Sequence, residues 1–92
     1  MLVILFQAGS DLFAMDTREL VEIVPSFDLR HMPGAARGVA GIMRYRNATI
    51  PVLDLGVLTG GAPCQSRLST RILVVRYRVD TVDAKLGLRV EN

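Results

Sequence analysis

The chain has 92 residues, a net charge of +2 at pH 7 and a hydrophobic fraction of 50%. This length predicts one small domain over residues 1–92, with a core that is marginal by itself. The surplus of apolar residues favours a protein interface. No apolar run reaches the roughly 18 residues of a membrane-spanning helix, so we expect no membrane insertion. The basic residues form no stripe, which argues against nucleic-acid binding.

Two single residues limit the chemistry that the chain can perform. Cys64 is the only cysteine, so no intramolecular disulfide can form and a cytoplasmic protein is expected. His31 is the only histidine, and it is expected to be an exposed loop residue. One Cys and one His far apart make a poor zinc site, and enzyme motifs are absent. We therefore expect no metal, no cofactor and no catalysis, and we interpret Cys64 as an ordinary surface thiol.

The first residues predict a β-hairpin. Residues 2–6 and 12–15 are apolar and rich in strand-forming side chains. Gly9 and Asp11 lie in the turn-like cluster between them. Two such runs separated by Gly, Ser and Asp are typical of antiparallel strands joined by a short turn.

The following stretch leaves its secondary structure open. Asp16 and Thr17 are both candidate caps of a helical turn. Residues 20–24 fit a helix or a strand, and Pro25 ends the element in either case. Residues 26–38 contain prolines and glycines with little apolar periodicity, so we interpret them as a loop.

The middle of the chain predicts two more strands, over residues 39–45 and 49–53, joined near Asn47. Pro51 cannot donate a backbone hydrogen bond, so it should place the second strand at a sheet edge or at a bulge. Asp54 is expected to cap a single helical turn that follows this strand.

The last third contains the clearest strand, over residues 70–79. Its alternating side chains are apolar on both faces as far as Val75, which predicts burial on both sides. A turn is predicted over residues 80–83 and a final strand over residues 86–90. Short strands separated by turns predict an all-β fold, a barrel or a sandwich.

The ordered set of these segments resembles the CheW-like domain family. The strongest match is GIMRYRNATIPVLDL, where the family reads G-L/V-x-N-L-R-G-x-V-V-P-V-I-D-L. A departure from this pattern is Asn47, which replaces Gly; Asn is the least costly non-Gly residue if the turn needs a positive φ. The matching positions of this segment are Gly41, Arg46, Pro51, Asp54 and Leu55. The weaker matches are residues 3–6, 12–15, 20–24, 32–35, 70–75 and 86–91.

The resemblance implies an all-β fold of two small SH3-like β-barrels. It also implies a non-enzymatic adaptor that couples chemoreceptors to a CheA-type histidine kinase in a bacterial chemosensory array. The family domain continues well beyond the segment around Gly87. We therefore expect the chain to lack the C-terminal strands, to leave one barrel incomplete and to self-associate as a homodimer.

The resemblance also assigns residues to the interface and to the turn. Leu20, Glu22, Gly41 and Arg46 lie where family members contact the receptor tip or the regulatory domain of the kinase. Arg46 has a second interpretation, as the partner of an acidic residue within the domain. On local pattern alone, Arg44 and Arg46 fit a cationic patch or a solvated strand face equally well. The residues with expected structural roles in or near the turn are Asn47, Pro51 and Asp54.

Three other functions stay open at this point. The chain fits a homo-oligomeric fragment without signalling activity, and it also fits a CheW-like domain cut from a longer kinase or hybrid adaptor. A small enzyme built on a β-barrel is the third, although catalytic signatures are missing.

Overall fold

The computed structural model describes residues 2–26 and 29–92, and their secondary structure is almost entirely β. The predicted all-β fold is confirmed. Part of the loop expected over residues 26–38 lies outside the described residues. The elements are β1 (Val3–Ala8), β2 (Asp11–Asp16), a 3-10 turn (Thr17–Glu19), β3 (Leu20–Pro25), β4 (Val39–Tyr45), β5 (Ala48–Asp54), α1 (Leu55–Leu58), β6 (Arg71–Val79) and β7 (Val82–Val90).

The strands form two sheets. The predicted hairpin of β1 and β2 is a two-stranded sheet, and the other strands form a five-stranded sheet in the order β3-β6-β7-β5-β4. The pairings are antiparallel except that of β5 with β7, where Val52–Asp54 run parallel to Gly87–Arg89. Gln7 of β1 exchanges backbone hydrogen bonds with Glu91 and Asn92, at 2.8 and 3.1 Å, which ties the small sheet to the end of β7.

Strand β6 lies between two apolar clusters, as its sequence predicts. Ile72 and Val74 are completely buried in the first cluster, and Leu73 and Val75 are buried in the second. The first cluster comprises Met43, Tyr45, Ile50, Val52, Ile72 and Val74. The second comprises Phe6, Leu73, Val75 and Val90, with six half-buried side chains around them: Phe13, Met15, Leu20, Leu55, Leu86 and Leu88.

The segment that fitted either a helix or a strand is strand β3. It pairs antiparallel with β6, from Leu20 opposite Val75 to Pro25 opposite Arg71. The predicted helical turn is the 3-10 turn just before it, where the Asp16 carboxylate accepts a hydrogen bond of 2.9 Å from the Arg18 amide. Pairing with a central strand decides the structure here, because local propensity is nearly neutral.

The sequence predicts Pro51 at a sheet edge or at a bulge, and it lies at neither: β5 is an interior strand between β7 and β4, and the register shift of the β4–β5 pair lies between Val39 and Gly41. Pro51 lies opposite Ile42, whose amide and carbonyl both bond to Arg30 on the far side of β4. The pair is therefore a non-hydrogen-bonded one, and the Pro51 nitrogen faces away from β4. The pairing with β7 begins only at Val52, so no hydrogen bond is lost.

Strand β7 begins earlier than the sequence predicts. Val79 pairs with Val82, so the turn expected over residues 80–83 contains only Asp80 and Thr81. Asp80 has a φ of 57°, which a two-residue hairpin loop requires at its first position. The turn residues of the sequence marked the right place, but they did not show how far the ladder continues.

Candidate functional site

The loop between β4 and β5 presents the most exposed of the predicted interface residues. Tyr45 pairs with Ala48, so Arg46 and Asn47 form a two-residue loop. Asn47 lies in the turn as predicted, but this turn does not require a positive φ at Asn47. The left-handed residue is Arg46, with φ 54°. Two-residue hairpins need a positive φ at their first position, whatever the propensity of the second.

The Arg46 side chain folds back onto two neighbours. Its Nε donates to the Tyr45 hydroxyl at 3.2 Å, and its guanidinium carbon lies 5.3 Å from the centre of the Tyr45 ring. A terminal nitrogen lies 3.3 Å from Glu22 Oε1, and the Tyr45 hydroxyl donates to the same oxygen at 2.5 Å. We call these three residues the Glu22–Tyr45–Arg46 cluster. It brings together two residues that the sequence places 24 positions apart.

Both interpretations of Arg46 agree with this geometry. It pairs with an acidic residue of its own domain, yet 74% of its side chain and 43% of that of Glu22 are exposed. The hydrogen bond with Tyr45 and the negative charge of Glu22 raise the pKa of Arg46. The cluster thus displays a fixed positive group beside a carboxylate. Tyr45, which links them, is not among the interface residues predicted from the sequence, where it departs from the Leu that is usual in the family pattern.

Leu20 lies on the same strand as Glu22 but serves a different part of the molecule. A bulge between Leu20 and Glu22 shifts the register of β3 against β6. Leu20 is half-buried and packs against the second cluster, whereas Glu22 reaches Tyr45 over the first. The structure therefore separates these two predicted interface residues.

Gly41 is buried and has a packing role. It follows a register shift in the pairing of β4 with β5. A Cβ atom at this position would lie 2.6 Å from the Arg30 carbonyl oxygen and 2.8 Å from the Leu29 Cβ. Such contacts are too short for any side chain. Gly41 therefore supports the neighbouring loop through close backbone packing and does not form part of the exposed surface.

Asp54 is the buried polar centre at the end of β5. As predicted, it caps α1: its carboxylate accepts a hydrogen bond of 3.2 Å from the Val57 amide. It also accepts from the Cys64 amide at 3.1 Å and from Arg89 at 2.8 and 3.0 Å. Burial by itself would raise the pKa of Asp54, but the bonds from Arg89, Cys64 and Val57 together hold the pKa below its usual value.

The interpretation of Cys64 as a surface thiol is wrong. Cys64 is buried, its amide bonds to Asp54, and its Sγ donates to the Arg89 carbonyl at 3.4 Å. Burial, with the negative charge of Asp54, raises the pKa of the thiol to about 11. The thiol is therefore protonated at neutral pH and is a poor nucleophile.

Within residues 2–26 and 29–92, no three His, Cys, Asp or Glu side chains are grouped so that they could hold a metal ion. His31 is exposed, as predicted. Helix α1 covers a single turn, and the described part of the chain contains no helix able to cross a bilayer. The described residues form a rigid β-scaffold that displays charged groups on short loops. This arrangement is typical of a binding domain.

The comparisons with known proteins identify the family of this domain. The model of the CheW-like domain family matches residues 2–92. The chain belongs to the CheW-like domain family, as the sequence pattern implied. Among solved structures it is similar to the scaffolding protein TtCheW from Thermoanaerobacter tengcongensis, with a TM-score of 0.82 and 25% sequence identity. The similarity covers 97% of this chain and 58% of that protein. A search of curated proteins gave no match.

Proposed function

We propose that this chain is a non-enzymatic adaptor of a bacterial chemosensory array, located in the cytoplasm. It binds the cytoplasmic tip of a chemoreceptor and the regulatory domain of a CheA-type histidine kinase. The observation that carries the proposal is the match of residues 2–92 to the CheW-like domain family. The similarity to a scaffolding protein supports it. Such an adaptor makes and breaks no covalent bond; it fixes the relative position of its partners.

The surface proposed for these contacts contains the Glu22–Tyr45–Arg46 cluster. Arg is enriched at the centres of protein interfaces because its planar group can stack and form several hydrogen bonds. Here Tyr45 and Glu22 hold the guanidinium in place before a partner arrives, which lowers the entropy lost on binding. A partner carboxylate could bond to the exposed nitrogens of Arg46, and a partner cation could approach Glu22. Leu20 contributes through its partial exposure, and Gly41 contributes only through packing.

A direct binding measurement tests the adaptor function. Purified chain would be immobilised and exposed in turn to receptor signalling-tip fragments and to the isolated regulatory domain of the kinase. We expect saturable binding of both, and a ternary complex when both are present. An unrelated all-β domain of similar size provides the control. Failure to bind either partner, with a cooperative thermal melt showing that the chain is folded, would overturn the proposal.

Self-association is a second candidate function, and the hairpin of β6 and β7 favours it. Beyond Val75, the hairpin face that continues the second cluster carries Tyr77, Val79 and Val82, which are 37%, 55% and 64% exposed. A second copy placed against this face by a two-fold axis would cover both apolar patches with one repeated contact. We propose a homodimer formed in this way. A dimer that binds neither receptor nor kinase would identify the chain as a homo-oligomeric module.

A further inference from the structure

A cleft of about 680 Å³ opens between β5 and the β6–β7 hairpin. The parallel strands β5 and β7 are paired only from Val52 opposite Gly87 to Asp54 opposite Arg89. Before that point the two strands are not paired with each other, and residues of both line the cleft. Val21 and Pro51 are among the apolar residues that line it, and its charged wall carries Arg76, Asp83 and Lys85.

Backbone groups that have no backbone partner among residues 2–26 and 29–92 face this cleft from both sides. Because the Pro51–Ile42 pair makes no hydrogen bonds across to β4, the alternation of an antiparallel ladder turns the amide and carbonyl of Thr49 towards the cleft. On β7, Val82 bonds to Val79 across the two-residue loop, so Asp83 and Lys85 turn their backbone groups away from β6. Two free strand edges that face each other recognise an extended polypeptide.

The wall of the cleft also holds two like charges opposite each other. Arg76 pairs with Lys85 across β6 and β7, at a position where no hydrogen bonds join the two strands and side chains approach most closely. Like charges at directly opposite positions destabilise a sheet. In the described ranges, neither Arg76 nor Lys85 has a carboxylate within 4.0 Å, whereas Arg78 pairs with Asp83 at 3.0 Å. A carboxylate placed between Arg76 and Lys85 would remove their repulsion.

We propose that this cleft binds an extended acidic segment of a partner protein. The backbone of the segment adds to a free edge of β5 or β7, and one of its carboxylates lies between Arg76 and Lys85. A neighbouring apolar side chain contacts Val21 and Pro51. The cleft shares no residue with the Glu22–Tyr45–Arg46 cluster, so this second docking surface does not depend on the proposed adaptor function.

Nuclear magnetic resonance titration of the ¹⁵N-labelled chain tests the proposal directly. The probe is a short synthetic peptide of alternating Glu and Val residues, and the controls are the same peptide with Lys in place of Glu, and free glutamate. We expect the acidic peptide to shift the amide signals of Thr49, Asp83 and Lys85. Equal binding of the Lys peptide or of free glutamate, or shifts confined to other residues, would overturn the proposal.

The variant Lys85→Glu distinguishes a binding role of Lys85 from a purely structural role. It replaces a like-charge pair by an opposite-charge pair, so the thermal midpoint should rise or stay unchanged while peptide affinity falls about tenfold or more. Arg37→Glu, an equal charge change in an exposed loop, should bind as the parent does. The neutral variant Lys85→Gln provides a second test if Lys85→Glu alters the fold. Parent-like binding by folded Lys85 variants would contradict the inference.

Discussion

Arg89 donates two hydrogen bonds, of 2.8 and 3.0 Å, to one carboxylate oxygen of Asp54, directly across the parallel junction of β5 and β7. Only 2% of the Asp54 side chain and 23% of that of Arg89 are exposed. The same carboxylate caps α1 and bonds to the Cys64 amide. One buried charge therefore holds together the end of a strand, a helical turn and the loop that follows it.

We expect Asp54→Ala to destabilise the domain strongly. It leaves the half-buried Arg89 guanidinium without its carboxylate partner and removes the cap of α1, and breaking a largely buried pair costs about 3–5 kcal/mol. Urea unfolding followed by circular dichroism measures the free energy of unfolding. The matched control is Asp83→Ala, since Asp83 belongs to an exposed pair with Arg78 and its loss should cost less than about 1 kcal/mol. Similar losses for the two variants would contradict the importance given to Asp54.

The same carboxylate should make the domain sensitive to acid. The folded state lowers the pKa of Asp54, so the group adds stability at pH values above its unfolded pKa of about 3.9. This stability is lost as the pH falls through the folded pKa. Thermal midpoints recorded between neutral pH and pH 2 should therefore fall more steeply for the parent chain than for Asp54→Asn. Parallel curves for the two proteins would show that Asp54 does not carry the effect.

The Cys64 thiol should react slowly in the folded protein. Burial raises its pKa to about 11, so little thiolate exists at pH 8 and reagents cannot reach the sulfur. We expect labelling by a disulfide reagent at pH 8 to proceed only through unfolding, and to become fast in urea. Asp54→Asn should accelerate labelling because it weakens the bonds around the Cys64 loop. Labelling of the native parent chain as fast as that of the unfolded chain would exclude the buried position.

Replacing Arg46 by Glu should weaken receptor binding while the fold survives. The Arg46 side chain is mostly exposed, but the new carboxylate would face Glu22 and would repel an acidic partner. Pull-down with receptor signalling fragments measures the loss, and a thermal melt monitors the fold. Arg44→Glu is the matched control, because Arg44 is an exposed neighbour that makes no ion pair with Glu22. Unchanged binding by Arg46→Glu would assign Arg46 a purely structural role.

The chain should form a dimer whose stability depends on the apolar end of the β6–β7 hairpin. Light scattering over a dilution series should report a mass of two chains at high concentration. Val82→Glu should shift the mass towards one chain while the single chain stays folded with a cooperative melt, since Val82 is 64% exposed. Leu68→Glu serves as the control, because Leu68 is 96% exposed in the loop before β6, whereas Val82 pairs with Val79 at the far end of that strand. A single-chain mass for the parent at every concentration would exclude the dimer.

The sequence predicted those features that depend on neighbouring residues. The alternation in β6, the hairpin of β1 and β2 and the Asp54 cap all follow from patterns a few residues long. The burial of Cys64 could not be predicted in this way, since it depends on Asp54 and Arg89, 10 and 25 positions away.

Residue propensities alone do not determine the loop and strand around Asn47. Asn tolerates a positive φ where a turn requires one, but the geometry of a two-residue loop places that conformation at Arg46. The rule that confines proline to sheet edges and bulges predicted one of these positions for Pro51, but the hydrogen-bond alternation of β4 turns the Pro51 nitrogen away from β4 within an interior strand. The opposition of Arg76 and Lys85 likewise depends on strand register.

The tight loop of Asp80 and Thr81 determines which chemistry the β6–β7 hairpin displays on each side. Its length sets the pairing of Val79 with Val82. Because of this register, the apolar side chains of the two strands lie on one face of the hairpin and the charged side chains lie on the other. One inserted residue that slipped this register would move every β7 side chain to the opposite face. Each face of the hairpin would then carry both apolar and charged side chains, although the amino-acid composition of the hairpin would hardly change. The length of this loop is thus as constrained as the identity of any residue that contacts a partner.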